Sequence, residues 1–294
     1  MSLSQPGILA PVPPLARYLT FRIRHQPDLS AALDALQTLA DGDRIVVGLG
    51  KSLLLQLGVE RPALPGFPAY TTAAVSIPAT PADLWCWLRG EDRGELLLLA
   101  QLLEEALAPG FELTQVTDAF RHQEGRDLTG YEDGTENPEG ADAEAAAIVR
   151  GQGEGLDGGS VVAVQHWRHD MAAFRAMSGA AQDAMIGRRR SDNEELADAP
   201  ESAHVKRTAQ ESFSPEAFVL RRSMPWAEGQ EAGLVFVAFG HTAQAFAAQL
   251  RRMAGVEDGI ADALFRFTRP VTGGYFWCPP MRDGRIMLPP SARP

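Results

Sequence analysis

Residues 16–48, ARYLTFRIRHQPDLSAALDALQTLADGDRIVVG, decide the fold. Ala16–Ile23 reads as a strand, rich in aromatic and branched residues. Leu29–Ala40 reads as an amphipathic helix with Ser30 as its N-cap. Arg44–Gly48 is a short valine-rich strand. Outward from this unit, Tyr70–Ile77 alternates as a strand does, and Pro81–Gly90 is open between strand and helix. Glu91–Leu107 is a strong helix closed by Pro109-Gly110, and Phe111–Phe120 is again a strand. The order strand, helix, strand, strand, helix, strand is that of a ferredoxin-like α+β sandwich with an antiparallel sheet.

Residues 121–158 break the pattern with glycines, acids and few large apolar side chains. A loop that long in a compact protein is usually functional or disordered. The order then restarts. Ser160–His166 reads as a strand, and Asp170–Met177 and Gly179–Ile186 as helices. Arg188–Ala203 is a second polar loop. Ala217–Arg222 and Leu234–Gly240 read as strands, Thr242–Met253 as a helix, and Val271–Phe276 as a closing strand. The division is an arm (1–15), one ferredoxin-like half (16–120), the loop (121–158), a second half (159–285) and a tail (286–294). The halves share no clear residue identity, so the repeat is one of pattern.

The 294 residues are 45% apolar and 22% charged, ordinary for a globular protein with a sizeable core. The net charge of −11 excludes sequence-independent binding to nucleic acid and disfavours anionic lipid. Cys86 and Cys278 are the only cysteines, which fits buried thiols in a reducing compartment rather than a disulfide or zinc framework. No apolar run reaches the roughly 20 residues that cross a bilayer. The first residues lack the basic start and apolar core of a signal peptide, so a cytoplasmic protein is expected.

Three segments hold groups fit for chemistry. Gly130-Tyr131-Glu132-Asp133-Gly134 brackets an acid with glycines, which lets backbone approach a flat ligand; Asp-Gly is equally a common surface turn. Among the six histidines, His204 follows a polar loop in Ser202-Ala203-His204-Val205-Lys206-Arg207, compatible with an axial metal ligand or a surface residue. Phe218–Leu220 runs into Arg221 and Arg222. Strand alternation puts Arg221 and Ser223 on one face, a candidate pocket wall; the alternative is that either arginine reaches solvent or pairs with a surface acid.

In this order the segments resemble the dye-decolourising peroxidase family. Gly130 to Gly134 matches its G-x-x-D-G motif, supported by Ala203–Arg207, by Leu220–Pro225, and by Arg252–Gly255, Asp262–Leu264 and Phe267–Phe276. The likeness spans about residues 15–285. Ser223, where others often carry Asn, is similar to the compact bacterial branch related to YfeX. The resemblance implies two fused ferredoxin-like halves of the dimeric α/β-barrel type, with non-covalent haem b in the C-terminal half. It makes His204 the iron ligand, Asp133 and Arg221 the groups acting on hydrogen peroxide, and Ser223 a positioner of peroxide or water. Gly130 and Gly134 would border the cofactor. Asp262 would receive the His204 ring N–H, with Asp258 as a rival.

The implied activity reduces hydrogen peroxide and oxidises phenolic, dye or porphyrin-like donors through a ferryl intermediate. Tyr131, Trp167, Trp226 and Trp277 are candidates for passing electrons from bulky donors at the surface, or ordinary core aromatics. A homo-oligomer is expected, and packaging in a protein shell is open. The alternatives are a haem-handling or iron-release protein with incidental peroxidase activity, and a ferredoxin-like module without cofactor.

Overall fold

In the computed structural model, which describes residues 3–72 and 75–288, the six-element order occurs twice. The first half is β1 (Leu15–Ile23), α1 (Leu29–Leu39), β2 (Ile45–Gly50), β3 (Leu84–Gly90), α2 (Arg93–Leu107) and β4 (Phe111–Phe120). The second is β5 (Ser160–His169), the helices Met171–Ala176 and Gly179–Ile186, β6 (Met224–Glu228), β7 (Glu231–Gly240), α3 (Gln244–Met253) and β8 (Gly274–Cys278). In space the first half runs β2-β3-β1-β4 and the second β8-β5-β7-β6, the same permutation. The halves join through β2–β8 and β4–β6, and all eight strands close into one antiparallel barrel.

Period-two alternation sends one set of side chains into the barrel and the other outward. Inside, Tyr18 stacks between Trp85 and Trp87 at 6.1 and 6.2 Å, with Val162, Val164, Val237, Phe239 and Phe276 around them. The interior is filled, as expected of an eight-stranded barrel. Outside, α1 and α2 lay Leu33, Leu36, Leu96, Leu103 and Leu107 against Leu19, Phe21, Val47, Cys86 and Leu88. Each such side chain contributes about 1.5–3 kcal/mol on burial.

Local readings shift where a neighbour decides. The cap of α1 is Asp28, whose carboxylate accepts from the Ala31 N–H at 3.0 Å; Ser30 falls inside the first turn. Residues 70–77 form two short paired strands, Tyr70–Thr71 and Ser76–Ile77, around residues outside the described set. Pro81–Gly90 resolves as a strand from Leu84. The loop 121–158 contains the helix Gly140–Ala147, whose Ala143 and Ala147 join the barrel core beside Ile8 of the N-terminal arm. Strand Ala217–Arg222 contracts to Leu220–Arg221, the closing strand expected at Val271–Phe276 starts only at Gly274 and runs to Cys278 as β8, and a separate short strand, Thr268–Pro270, precedes it. Strand β6 went unread because Pro225 interrupts it, and so did the short helix Lys51–Gln56. Residues 289–294 of the tail lie outside the described residues. Among the described residues no helix is long and apolar enough to cross a membrane.

Candidate active site

The outward faces of β5 and β7 hold Gln165, Trp167, His169, Leu234 and Phe236, and α3 faces them with Phe246, Leu250 and Met253. Sheet and helix do not close on each other here. A cleft of about 290 Å³, measured to the centre of a water molecule, lies between them. Ile186, Val205, Leu264 and Phe267 complete its apolar walls, and Asp133, His204 and Arg221 line it.

His204 opens the one-turn helix His204–Arg207 at the end of the second polar loop. That helix lies tight on its neighbour: a Cβ at Gly187, whose φ is +94°, would come within 2.3 Å of Val205. The His204 Nδ1 donates to Asp262 Oδ2 at 2.7 Å, and Asp262 Oδ1 accepts from the Leu264 N–H at 2.9 Å. The Asp262 side chain is fully buried. A buried carboxylate accepts only, so it fixes the proton on Nδ1 and leaves the Nε2 lone pair free. Nε2 has no hydrogen-bond partner among the described residues. The rival Asp258 is held elsewhere, by a two-pronged pair with Arg207 at 2.7 and 2.8 Å.

Asp133 sits in the Gly130–Gly134 turn. Gly134 is left-handed at φ +90°, and a Cβ there would meet the Asn137 amide at 2.9 Å. Gly130 is left-handed too, but it packs on Arg190 and does not line the cleft; the turn needs it, where direct contact with a cofactor was expected. Asp133 Oδ1 lies 4.0 Å from an Arg221 terminal nitrogen. That is too long for a direct hydrogen bond and suits a small bridging molecule. Arg221 Nε is buried without a partner among the described residues. Burial pushes the Asp133 carboxyl above the usual carboxylate range, Arg221 opposes this, and Asp127 adds to it. Ser223 lines a smaller adjoining cavity shared with Asp133 and Arg221, and its Oγ accepts from the Val237 N–H at 3.4 Å. Arg222 turns away and donates to the Ile8 and Leu9 carbonyls of the arm.

Sequence reasoning missed several cleft residues. His169 contacts Asp127 at 3.1 Å and Thr268 at 2.6 Å, and the imidazole contacts hold the Asp127 carboxyl low although burial pulls it up. It ends β5 and belongs to no motif. Asn137, Gln210 and Gln249 also reach this region, and only tertiary contacts reveal them. Tyr131, Trp167, Trp226 and Trp277 are 4%, 6%, 9% and 4% exposed, so none presents a ring at the surface to a bulky donor. Each is pinned inside: the Tyr131 hydroxyl donates to Asp183, the Trp226 N–H donates to the Trp167 carbonyl, Trp167 stacks on Phe265, and Trp277 lies in the buried cluster that includes Leu19 and Leu33.

The walls, the free imidazole nitrogen and the Arg221 Nε, which has no partner among the described residues, fit a flat, metal-bearing macrocycle with a small reactant beside Asp133 and Arg221. Comparison with known proteins agrees. Residues 124–283 match the model of the Dyp-type peroxidase C-terminal region. A dye-decolorizing peroxidase from Mycobacterium tuberculosis is 31% identical over all of this chain and 94% of its own length. The encapsulated DyP-type peroxidase from Mycobacterium smegmatis superposes with a TM-score of 0.86 at 30% identity, covering 95% of this chain and 96% of that one. A single-residue variant of DypB from Rhodococcus jostii, solved in complex with heme, gives 0.86 at 26% identity over 92% and 94%. The chain therefore belongs to the Dyp-type peroxidase family.

Proposed function

We propose that the C-terminal cleft holds non-covalent haem b on His204, and that Asp133 and Arg221 act on hydrogen peroxide in the same cleft. The chain is a haem peroxidase by family, which disfavours the haem-handling alternative. The observation that carries the residue roles is the His204–Asp262 pair, which aims an unpartnered Nε2 into the cleft that Asp133 and Arg221 also line. Haem, when bound, would supply an iron that takes two oxidising equivalents from peroxide, which is reduced to water, and passes them to the donor. The apolar side chains of Val205, Leu234, Phe236, Phe246 and Leu264 would clasp its ring, and Gly134 lets the loop approach it.

The ionised Asp133 carboxylate takes a proton from one peroxide oxygen and returns it to the departing one. The Arg221 guanidinium stabilises charge on the departing oxygen. Asp262 raises the basicity of His204 through Nδ1. Ser223 has a hydroxyl proton free to orient a water or peroxide. Small phenolic or dye donors must reach the cleft mouth, because the candidate relay aromatics are buried. A homo-oligomer, a cytoplasmic location, occasional packaging in a shell and placement in the compact YfeX-like branch belong to the same reading, the last on Ser223 alone.

The test is a titration with haem followed by visible spectroscopy. Wild type should give a five- or six-coordinate histidine-ligated spectrum, and His204→Ala should lose it while remaining folded. An unchanged spectrum in His204→Ala would overturn the assignment.

A further inference from the structure

Strand Leu220–Arg221 is the edge of its sheet. On one side Arg221 pairs with Ala238 of β7; on the other no strand follows among the described residues. An edge residue there would leave its outer N–H and C=O unpaired, and Arg221 is largely buried. The Asn137 side chain fills that place. Its Oδ1 accepts from the Arg221 N–H at 2.9 Å, and its Nδ2 donates to the Arg221 carbonyl at 3.0 Å. One primary amide thus imitates the donor–acceptor pair of a neighbouring strand.

Two further amides continue the row. Gln210 Oε1 accepts from the Val219 N–H at 2.9 Å while its Nε2 donates to the Glu136 carbonyl at 2.8 Å. Gln249 Nε2 donates to the Ala217 carbonyl at 2.6 Å. Asn137 and Glu136 both belong to the loop that carries Asp133. The contacts therefore fasten the acid's loop to the arginine's strand: Asn137 holds the Arg221 backbone to the loop whose Asp133 carboxylate lies 4.0 Å from the Arg221 guanidinium.

We propose that Asn137 is the positioning residue that sets Arg221 against Asp133. This rests on the proposed role of Arg221 in peroxide chemistry. Asn137 does not touch the reactant; it acts through the backbone of Arg221. A displacement of about 1 Å of a catalytic group can cost on the order of a hundredfold in rate.

The test compares haem-loaded Asn137→Ala, Asn137→Asp, Arg221→Leu and the double variant Asn137→Ala/Arg221→Leu. Asn137→Asp keeps the acceptor for the Arg221 N–H but loses the donor and repels the carbonyl, and it serves if the alanine variant folds poorly. Both Asn137 variants should lower kcat/KM for peroxide by about ten- to a hundredfold, with kcat/KM for the donor little changed. In the Arg221→Leu background the Asn137 substitution should cost less than about twofold, since sites that work through one group do not add. Hydrogen exchange of residues 219–222, with and without haem, should quicken in both Asn137 variants. If Arg221→Leu leaves the peroxide step intact, the functional reading fails. If Arg221→Leu impairs it while the Asn137 variants do not, or their losses multiply, the positioning role alone is overturned.

Discussion

In the N-terminal half, Leu19, Phe21, Cys86 and Leu88 meet Leu33, Leu36, Leu103 and Leu107 with almost no space between sheet and helix. In the C-terminal half the same position in the same topology holds Gln165, Trp167 and His169 opposite Phe246, Leu250 and Met253, and a cleft remains. Gln165 Nε2 and Trp167 Nε1 are buried there without partners among the described residues. Such groups cost about 1–3 kcal/mol each when nothing satisfies them. Tyr18, Trp85 and Trp87 of the N-terminal half also bury polar atoms without partners among the described residues, so it is the cleft that separates the halves: one is a packed support, and the other keeps open space that a bound ligand completes. A ligand that binds only the folded chain returns the missing stability by mass action.

The sharpest way to break this comparison is a pair of leucine deletions. Leu103→Ala, at 0% exposure in the packed half, should cost about 2–5 kcal/mol in denaturant unfolding and leave the haem spectrum unchanged. Leu250→Ala, on the cleft wall, should cost near the low end of that range without haem, because part of its surroundings is already empty. It should also weaken haem retention. Equal costs with equal spectra would erase the distinction between the halves.

Next in size are the reactive groups. Asp133→Asn keeps the shape of the side chain but cannot take a proton, and kcat/KM for peroxide should fall by about a hundred- to a thousandfold, the scale of removing a proton-transfer group. Stopped-flow mixing with peroxide measures it. No acidic residue of the N-terminal half should show such an effect, and Asp118, tied to Arg17 at 2.6 Å, is the matched control. Smaller still is the change expected of Asp262→Asn. Loss of the acceptor on His204 should weaken haem affinity by about ten- to a hundredfold. Asp258→Asn should only loosen Arg207 and spare the spectrum; the reverse pattern would reinstate Asp258.

The halves also differ in how far the sequence discloses them. Apart from β6, strand and helix order was legible in both, because alternation and helical spacing survive whatever the elements pack against. Within the N-terminal half the amphipathic pattern of Leu29–Ala40 announced a buried face, and Leu33 and Leu36 on that helix are buried. The site was legible only through the ordered segments around Asp133, His204 and Arg221. His169, Asn137 and Gln210 stayed hidden because each works through a contact 42 to 99 residues away, or through an amide bonded to backbone, and neither leaves a spacing. Strand β6 was lost to Pro225, whose neighbours pair despite it. The four aromatics left open between relay and core teach a related point: composition reports that a ring is present, whereas burial is a property of the assembled barrel.

The finest discrimination comes from pH. Burial lifts the Asp133 carboxyl above its usual range, Arg221 chiefly opposes the lift, and the charge of Asp127 adds to it. As a base Asp133 must be ionised, so kcat/KM for peroxide should rise with pH through that raised value and then level off. Arg221→Leu removes the opposing cation and should move the rise to higher pH; Asp127→Asn removes a like charge and should move it lower. Leu103→Ala, in the other half, should leave it in place. Stability must follow the same proton. A carboxyl raised by folding favours the folded state fully below its unfolded value, about 3.9, and that favour is lost as pH rises through the folded value. Asp133→Asn should therefore show a higher Tm than wild type at pH 7, and the gain should fade on acidification. A gain that persists in acid, or a rise in rate that neither Arg221→Leu nor Asp127→Asn displaces, would mean that a group other than Asp133 carries the proton.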